Sequence, residues 1–210
     1  MTTIAIVSAL HEELAAVLDL MPDEQQQVVG GRTFWRGHLQ GHDVVAVLSG
    51  IGKVAAATTA AVLIERFGVQ RIVFTGVAGG LAPGVNVGDV VVARHFLQHD
   101  MDASPLFPRW ELPGYARSRL PCDPALTALL LEAAKACVAG GSGPLGLKKS
   151  PDQAPHRMHY GLVASGDRFV STAAESTQLR AALRNAGHDV LAVEMEGAAV
   201  AQVCQDYGLP

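Results

Sequence analysis

Two carboxylates two residues apart, Glu194 and Glu196, stand where an apolar segment gives way to small residues, in Val190-Leu191-Ala192-Val193-Glu194-Met195-Glu196-Gly197-Ala198-Ala199. The segment reads as a buried strand running into a helix. On extended backbone residues two apart share a face, so both could point the same way. A carboxylate at the carboxyl end of a strand sits where open α/β sheets place their ligands. The competing account is a helix N-terminal acid, which the helix dipole favours without any ligand. A second pair, Glu12 and Glu13, follows the apolar run over residues 3–8. A carboxylate there could hold a water molecule and take its proton, which is general-base chemistry. Ordinary first-turn acid is again the plainer alternative.

Three glycine-bearing turns could bring backbone close to a ligand. Ser49-Gly50-Ile51-Gly52-Lys53 invites a phosphate-loop reading but fails it, because Val47 stands where the first Gly belongs and Val54 where Ser or Thr is required. Thr75-Gly76-Val77-Ala78-Gly79-Gly80 lacks the dinucleotide spacing. In Ser165-Gly166-Asp167-Arg168-Phe169-Val170 an aromatic follows a strand. Its ring could stack on a flat heterocycle while nearby backbone groups read the edges. A core Phe beside a surface Asp–Arg pair explains the same residues. His95, His99, Asp100 and Asp102 suggest a metal site by type, yet no pair has ligand spacing on a predicted helix, and no metal is expected. Ser49, Ser104 and Ser165 lie in no nucleophile elbow.

The elements that must position these residues alternate. Residues 3–8 read as a strand, 12–20 as a helix stopped by Pro22, and 34–39 with 44–48 as a hairpin through Gly41-His42. Residues 53–67 form an Ala-rich helix, and 71–75 and 89–94 form buried strands. Residues 95–121 hold four prolines and read as one long loop, a kind usually functional or mobile. A helix over 125–138, a flexible Gly/Ser/Pro/Lys-rich insert over 140–155, a strand over 161–165 and a helix over 173–186 lead to the carboxylate pair. A last helix over 200–207 ends at Gly208-Leu209-Pro210, which resembles a loop leading into a further strand. No linker divides the chain, so one α/β domain over residues 1–210 is expected, with three α/β/α layers and a mixed, mostly parallel central sheet.

Composition narrows the function classes. The net charge of −4, with no basic block, disfavours nucleic-acid binding. The 49% apolar, 5% aromatic content suits close strand–helix packing. Three widely spaced cysteines read as reduced thiols. The N-terminus lacks a secretory pattern and no apolar run reaches a membrane span, so a cytoplasmic protein without a membrane partner is expected.

Taken in order, five segments resemble one family: Ile4-Ala5-Ile6-Val7-Ser8-Ala9-Leu10-His11-Glu12-Glu13, Ser49-Gly50-Ile51-Gly52-Lys53-Val54-Ala55-Ala56-Ala57, Thr75-Gly76-Val77-Ala78-Gly79-Gly80-Leu81-Ala82, Ser165-Gly166-Asp167-Arg168-Phe169-Val170 and Val193-Glu194-Met195-Glu196-Gly197-Ala198-Ala199. They look like the methylthioadenosine/S-adenosylhomocysteine nucleosidases of the purine nucleoside phosphorylase superfamily. Each segment is weak singly; five in register are specific. The resemblance covers residues 4–210 apart from 95–121 and 140–155. It implies a phosphorylase/hydrolase-like fold, hydrolysis of the adenine–ribose bond and no cofactor. By resemblance Glu13 is the general base on water, and Glu196 holds the ribose hydroxyls. Phe169 and Val170 match the adenine platform, Val193 and Met195 the walls around base and sugar, and Leu10 and Ile51 apolar positions near the ribose and its sulfur substituent. Val77, Ala78 and Gly79 match substrate-lining backbone, and Pro113 a loop that the family contributes across a homodimer interface.

Two departures qualify the match. The family's general acid, an Asp that protonates adenine N7, falls on a strand after the last helix, so it and a final strand and helix are expected beyond Pro210. Val77 replaces a Ser that in many members orients that Asp. A nucleoside phosphorylase is the nearest alternative, but Glu12 and Glu13 would repel a phosphate dianion that Arg32, Arg36 or Arg94 would have to hold. A futalosine hydrolase of the same fold and a non-catalytic adenosine-binding protein are the other readings.

Overall fold

The computed structural model describes residues 2–139 and 156–210, so the expected insert over 140–155 lies outside the described residues. In chain order the elements are β1 (Ile4–Ser8), α1 (His11–Leu18), β2 (Gln25–Val29), β3 (Arg32–Leu39), β4 (His42–Leu48), α2 (Lys53–Phe67), β5 (Arg71–Phe74) and β6 (Gly79–Gly80). There follow β7 (Val90–Gln98), β8 (Leu120–Pro121), α3 (Pro124–Ala139), β9 (Met158–Ser165), α4 (Ala173–Asn185), β10 (Val190–Glu194) and α5 (Gly197–Tyr207). They group into two compact units, Met1–Val77 with Met195–Pro210, and Ala78–Glu194. The α/β character read from the sequence stands, the strands among the described residues being paired in two mixed five-stranded sheets.

The first unit is built on the order β2-β3-β4-β1-β5. β1 pairs in parallel with β4 and β5, while β2, β3 and β4 form an antiparallel meander. Both faces are buried, which is why β1 and β4 read as continuous apolar runs. Ala5, Val7, Val45 and Val47 pack against Ala56, Ala60 and Leu63 of α2 and Ala199, Val200 and Cys204 of α5. Val44 and Ala46, with Ile6 and Leu48, meet Leu14 of α1 and Met21. The α2 stripe has the i, i+4, i+7 spacing of one helix face, and its small residues let the helix lie close to the sheet. Truncating the fully buried Leu63 to Ala would cost about 2–5 kcal/mol. α2 stops at Gly68, whose φ of 62° is the left-handed C-terminal conformation that glycine adopts without strain. Burial among these residues pushes the Cys204 thiol up to about 11. Past α5 the Pro210 carbonyl accepts from Ile72 N at 2.9 Å.

The second unit has the order β6-β10-β9-β7-β8, parallel through β10, β9 and β7 and antiparallel at both margins. Its core joins Leu97, Leu162, Ala164, Val190 and Val193 to Leu183 of α4 and to Trp110. The capping box of α4 closes through Thr172 and Glu175, the reciprocal arrangement that satisfies two orphan amides.

Several boundaries differ from the sequence reading. The polar Gln25-Gln26-Gln27 gave no strand signal, yet β2 forms as an exposed edge whose partner β3 supplies the ladder. β7 runs to Gln98, and residues 120–121 pair with 95–96, so both ends of the expected 95–121 loop are sheet. Gly79–Gly80 pairs with Val193 and Ala192 despite a composition that disfavours strands.

Candidate active site

In the first unit the Glu13 side chain is anchored by backbone amides just past the end of β1. It is the third residue of α1, and its Oε2 accepts from Ala9 N at 3.0 Å and Leu10 N at 2.9 Å. Those two bonds are what an N-terminal helix acid makes for itself, with Leu10 the N-cap residue. Oε1 does something that capping does not require. It accepts from Val77 N at 2.9 Å, an amide 64 positions along the chain. The intervening Gly76 admits this approach, since a Cβ there would lie 2.9 Å from Oε1. Glu12, its neighbour, is exposed and fits the plain solvated account.

Glu196 is 5% exposed, and its Oε1 accepts from Gly52 N at 2.8 Å. Gly52 is the N-cap of α2 with φ 99° and ψ 159°, so the carboxylate lies on the positive end of a helix, where negative charge is favoured. Glu196 is also the N-cap residue of α5. β10 ends at Glu194, and Glu196 stands two residues later with φ −133° and ψ −41°, where the chain turns into α5. Ile51 and Leu10, 59% and 40% exposed, present apolar side chains beside these two carboxylate-bearing turns, and Met195 is half-buried.

A cavity of about 570 Å³ in this unit opens beside the ends of β1 and β4, lined by Ala9, Arg32, Trp35, Ser49 and Gly50 among others. Arg32 spends its Nε on the Ser49 carbonyl at 3.2 Å. Of the other two arginines considered as phosphate holders, Arg36 is exposed on β3, and Arg94 is exposed on β7 in the second unit.

In the second unit Phe169 is 73% exposed on the turn after β9. Val170 packs partly against the core under it. Gly166 N donates to the Glu194 carbonyl at 3.1 Å, and the Ser165 hydroxyl donates to Glu194 Oε1. Val193 is buried and opposes Gly79 across the β10–β6 pair. Ala78 and Pro113 are exposed, Pro113 at the turn closed by the Leu112–Arg117 bridge. Among the described residues no group of three or more His, Cys, Asp or Glu could hold a metal ion.

Residues 3–210 match the model of the phosphorylase superfamily. The 5'-methylthioadenosine/S-adenosylhomocysteine nucleosidase of Bacillus thuringiensis is 35% identical over 208 residues, 99% of this chain and 81% of the relative. This chain belongs to the methylthioadenosine/S-adenosylhomocysteine nucleosidase family. A crystal structure of the Neisseria meningitidis nucleosidase of that family, in complex with methylthio-immucillin-A, superposes with a TM-score of 0.85 at 30% identity, covering 100% of this chain and 82% of the other. A futalosine hydrolase mutant of Helicobacter pylori is similar at a TM-score of 0.83 and 32% identity, covering 100% and 86%. Among the described residues no helix is long and apolar enough to cross a membrane.

The nucleosidase family's motifs thus fall on defined parts of the two units. Glu13, Glu196 and Phe169 are legible in the sequence, but the pairing of Glu13 with the amides of Ala9, Leu10 and Val77, and of Glu196 with that of Gly52, is not. Backbone donors leave no residue-type signal. The glycines at 52 and 76 were the only legible trace.

Proposed function

We propose that this chain hydrolyses the N-glycosidic bond of methylthioadenosine or S-adenosylhomocysteine and releases adenine. The observation that carries this reading is the Glu13 carboxylate, gripped on both oxygens by three backbone amides from two segments. A base held this way is fixed in place before water arrives, which removes an entropic cost from the step. Water bonds through oxygen to the anomeric carbon, Glu13 takes the water's proton, and the C–N electron pair leaves with adenine, which takes up one proton from solvent.

Glu196 holds the ribose hydroxyls, and its buried charge favours the positive charge that grows on the sugar. Leu10 and Ile51 supply apolar surface for the sulfur substituent, and Met195 walls the sugar. In the second unit Phe169 stacks on the base, Val170 meets it through backbone, Val193 lines it, and Ala78 and Gly79 run alongside. We further propose a homodimer in which Pro113 serves the partner's substituent pocket, a cytoplasmic setting, and a role in recovering the sulfur-bearing sugar for methionine salvage.

The likeness to a futalosine hydrolase supports a second reading, hydrolysis of that nucleoside by the same two carboxylates. Turnover of methylthioadenosine and of futalosine by the intact protein, compared as kcat/KM, tests the choice. A ratio favouring methylthioadenosine supports the first reading, and a ratio favouring futalosine assigns the second.

A further inference from the structure

The residues that sequence reasoning weighed as a metal site, His99 and Asp100, lie beside the turn that carries Phe169. Asp100 Oδ2 accepts from Asp167 N at 2.8 Å. The buried His99 ring covers Gly166 so closely that a Cβ at 166 would overlap it. The backbone of His99 is fixed in turn. Its N–H donates to the Ser165 carbonyl at 2.9 Å, and its carbonyl accepts from the buried Trp110 Nε1 at 2.9 Å. Trp110 N donates to the Met101 carbonyl at 3.0 Å, and its ring meets His188 edge-on. An aromatic as exposed as Phe169 has little packing of its own to hold it. Its position is therefore set by the backbone before it.

We infer that His99 and Asp100 are positioning residues for the base platform, holding residues 166–167 so that Phe169 is presented to the heterocycle. The inference rests on the assignment of Phe169 to adenine stacking made above. Asp100 acts through a charge-assisted bond to a backbone amide, which fixes the turn whatever side chain stands at 167. His99 acts by shape, and it requires glycine at 166. The order Trp110, His99, Gly166, Phe169 gives the proline-bearing segment after β7 a task in base recognition that involves no metal.

Equilibrium binding of adenine to the intact protein tests this through a double-mutant cycle. Asp100→Ala is expected to weaken adenine binding by about tenfold, the scale of one charge-assisted hydrogen bond. Asp100→Asn keeps an acceptor oxygen and should restore most of the affinity. In a Phe169→Ala background the Asp100→Ala change should have almost no further effect, because the group it positions is gone. Additive losses in the double variant, or full affinity in Asp100→Ala, overturn the inference while leaving Phe169 as the platform. An unchanged affinity in Phe169→Ala overturns the platform assignment and the inference with it. A fold defect common to the Asp100 variants would appear in Asp100→Asn as well, so rescue by Asn separates positioning from stability.

Discussion

The amide of Val77 donates to Glu13 Oε1 at 2.9 Å while Oε2 is already occupied by the amides of Ala9 and Leu10. A carboxylate satisfies donors on both oxygens; a carboxamide does not, because one of its two ends is itself a donor. Glu13→Gln should therefore lose its proton-accepting role and face one backbone N–H with an NH₂ group. The expected outcome is a fall in kcat of about 10²–10⁴ with a loss of stability of about 1 kcal/mol. Steady-state kinetics and a urea melt check both, and near-wild-type kcat would sink the base assignment.

Gly76 is constrained by Glu13 more tightly than Val77 is. Any residue but proline at 77 offers an N–H, so Val in place of Ser leaves this contact intact. A methyl at 76 would stand 2.9–3.1 Å from the carboxylate atoms and must displace the group from three amides. Gly76→Ala is expected to lower kcat by about tenfold or more, since misplacement of a reacting group by about 1 Å is costly. Circular dichroism should report an intact fold. Unimpaired turnover in this variant would contradict the held-carboxylate picture.

Glu196 carries a different signature. Its Oε1 accepts from Gly52 N, so Glu196→Ala strips a partly buried amide of a partner as well as removing the ribose contact. A stability loss of about 1 kcal/mol is expected from the lost hydrogen bond. Affinity for a ribonucleoside should fall in parallel. The variant and the parent should differ far less toward a 2',3'-dideoxy analogue, which offers no hydroxyls to hold. Equal losses toward both ligands would assign Glu196 to structure alone.

How much of this was legible follows from where the information sits. Residues 53–67 read correctly to the residue because an Ala-rich stripe is bounded by Gly52 and Gly68, both needed at positive φ. β2 was invisible because three consecutive glutamines carry no apolar period, and only its partner makes it a strand. Glu13 and Glu196 were legible as carboxylates at element joins. The brace at His99 and Asp100 could not be read at all, since it depends on β7 and β9 lying side by side in register.

Away from the site, His38 Nδ1 lies 2.6 Å from Asp23 Oδ2 and its Nε2 lies 3.1 Å from Asp43 Oδ1. The hydrogen bond with Asp23 raises the imidazole above its ordinary value of 6.5, and the same bond lowers the Asp23 carboxyl below 3.8. The folded imidazole holds its proton more tightly than the unfolded one. Its contribution is therefore complete below 6.5 and fades as pH rises through the higher folded value. The Asp23 contribution is present above 3.8 and fades as pH falls through the lower folded value. The difference in Tm between the parent and Asp23→Asn should be largest between those two values and shrink in alkaline buffer. Both groups are exposed, so the effect is small, and a gap that grows toward high pH would refute the clasp.

The most direct test of the account is adenine release from methylthioadenosine by the intact protein in phosphate-free buffer made with ¹⁸O-labelled water. The account predicts adenine together with a free sugar that carries one ¹⁸O at the anomeric carbon, at a rate unaffected by added phosphate. Release that begins only when phosphate is supplied, with the sugar recovered as its 1-phosphate, would contradict hydrolysis and with it the role given to Glu13.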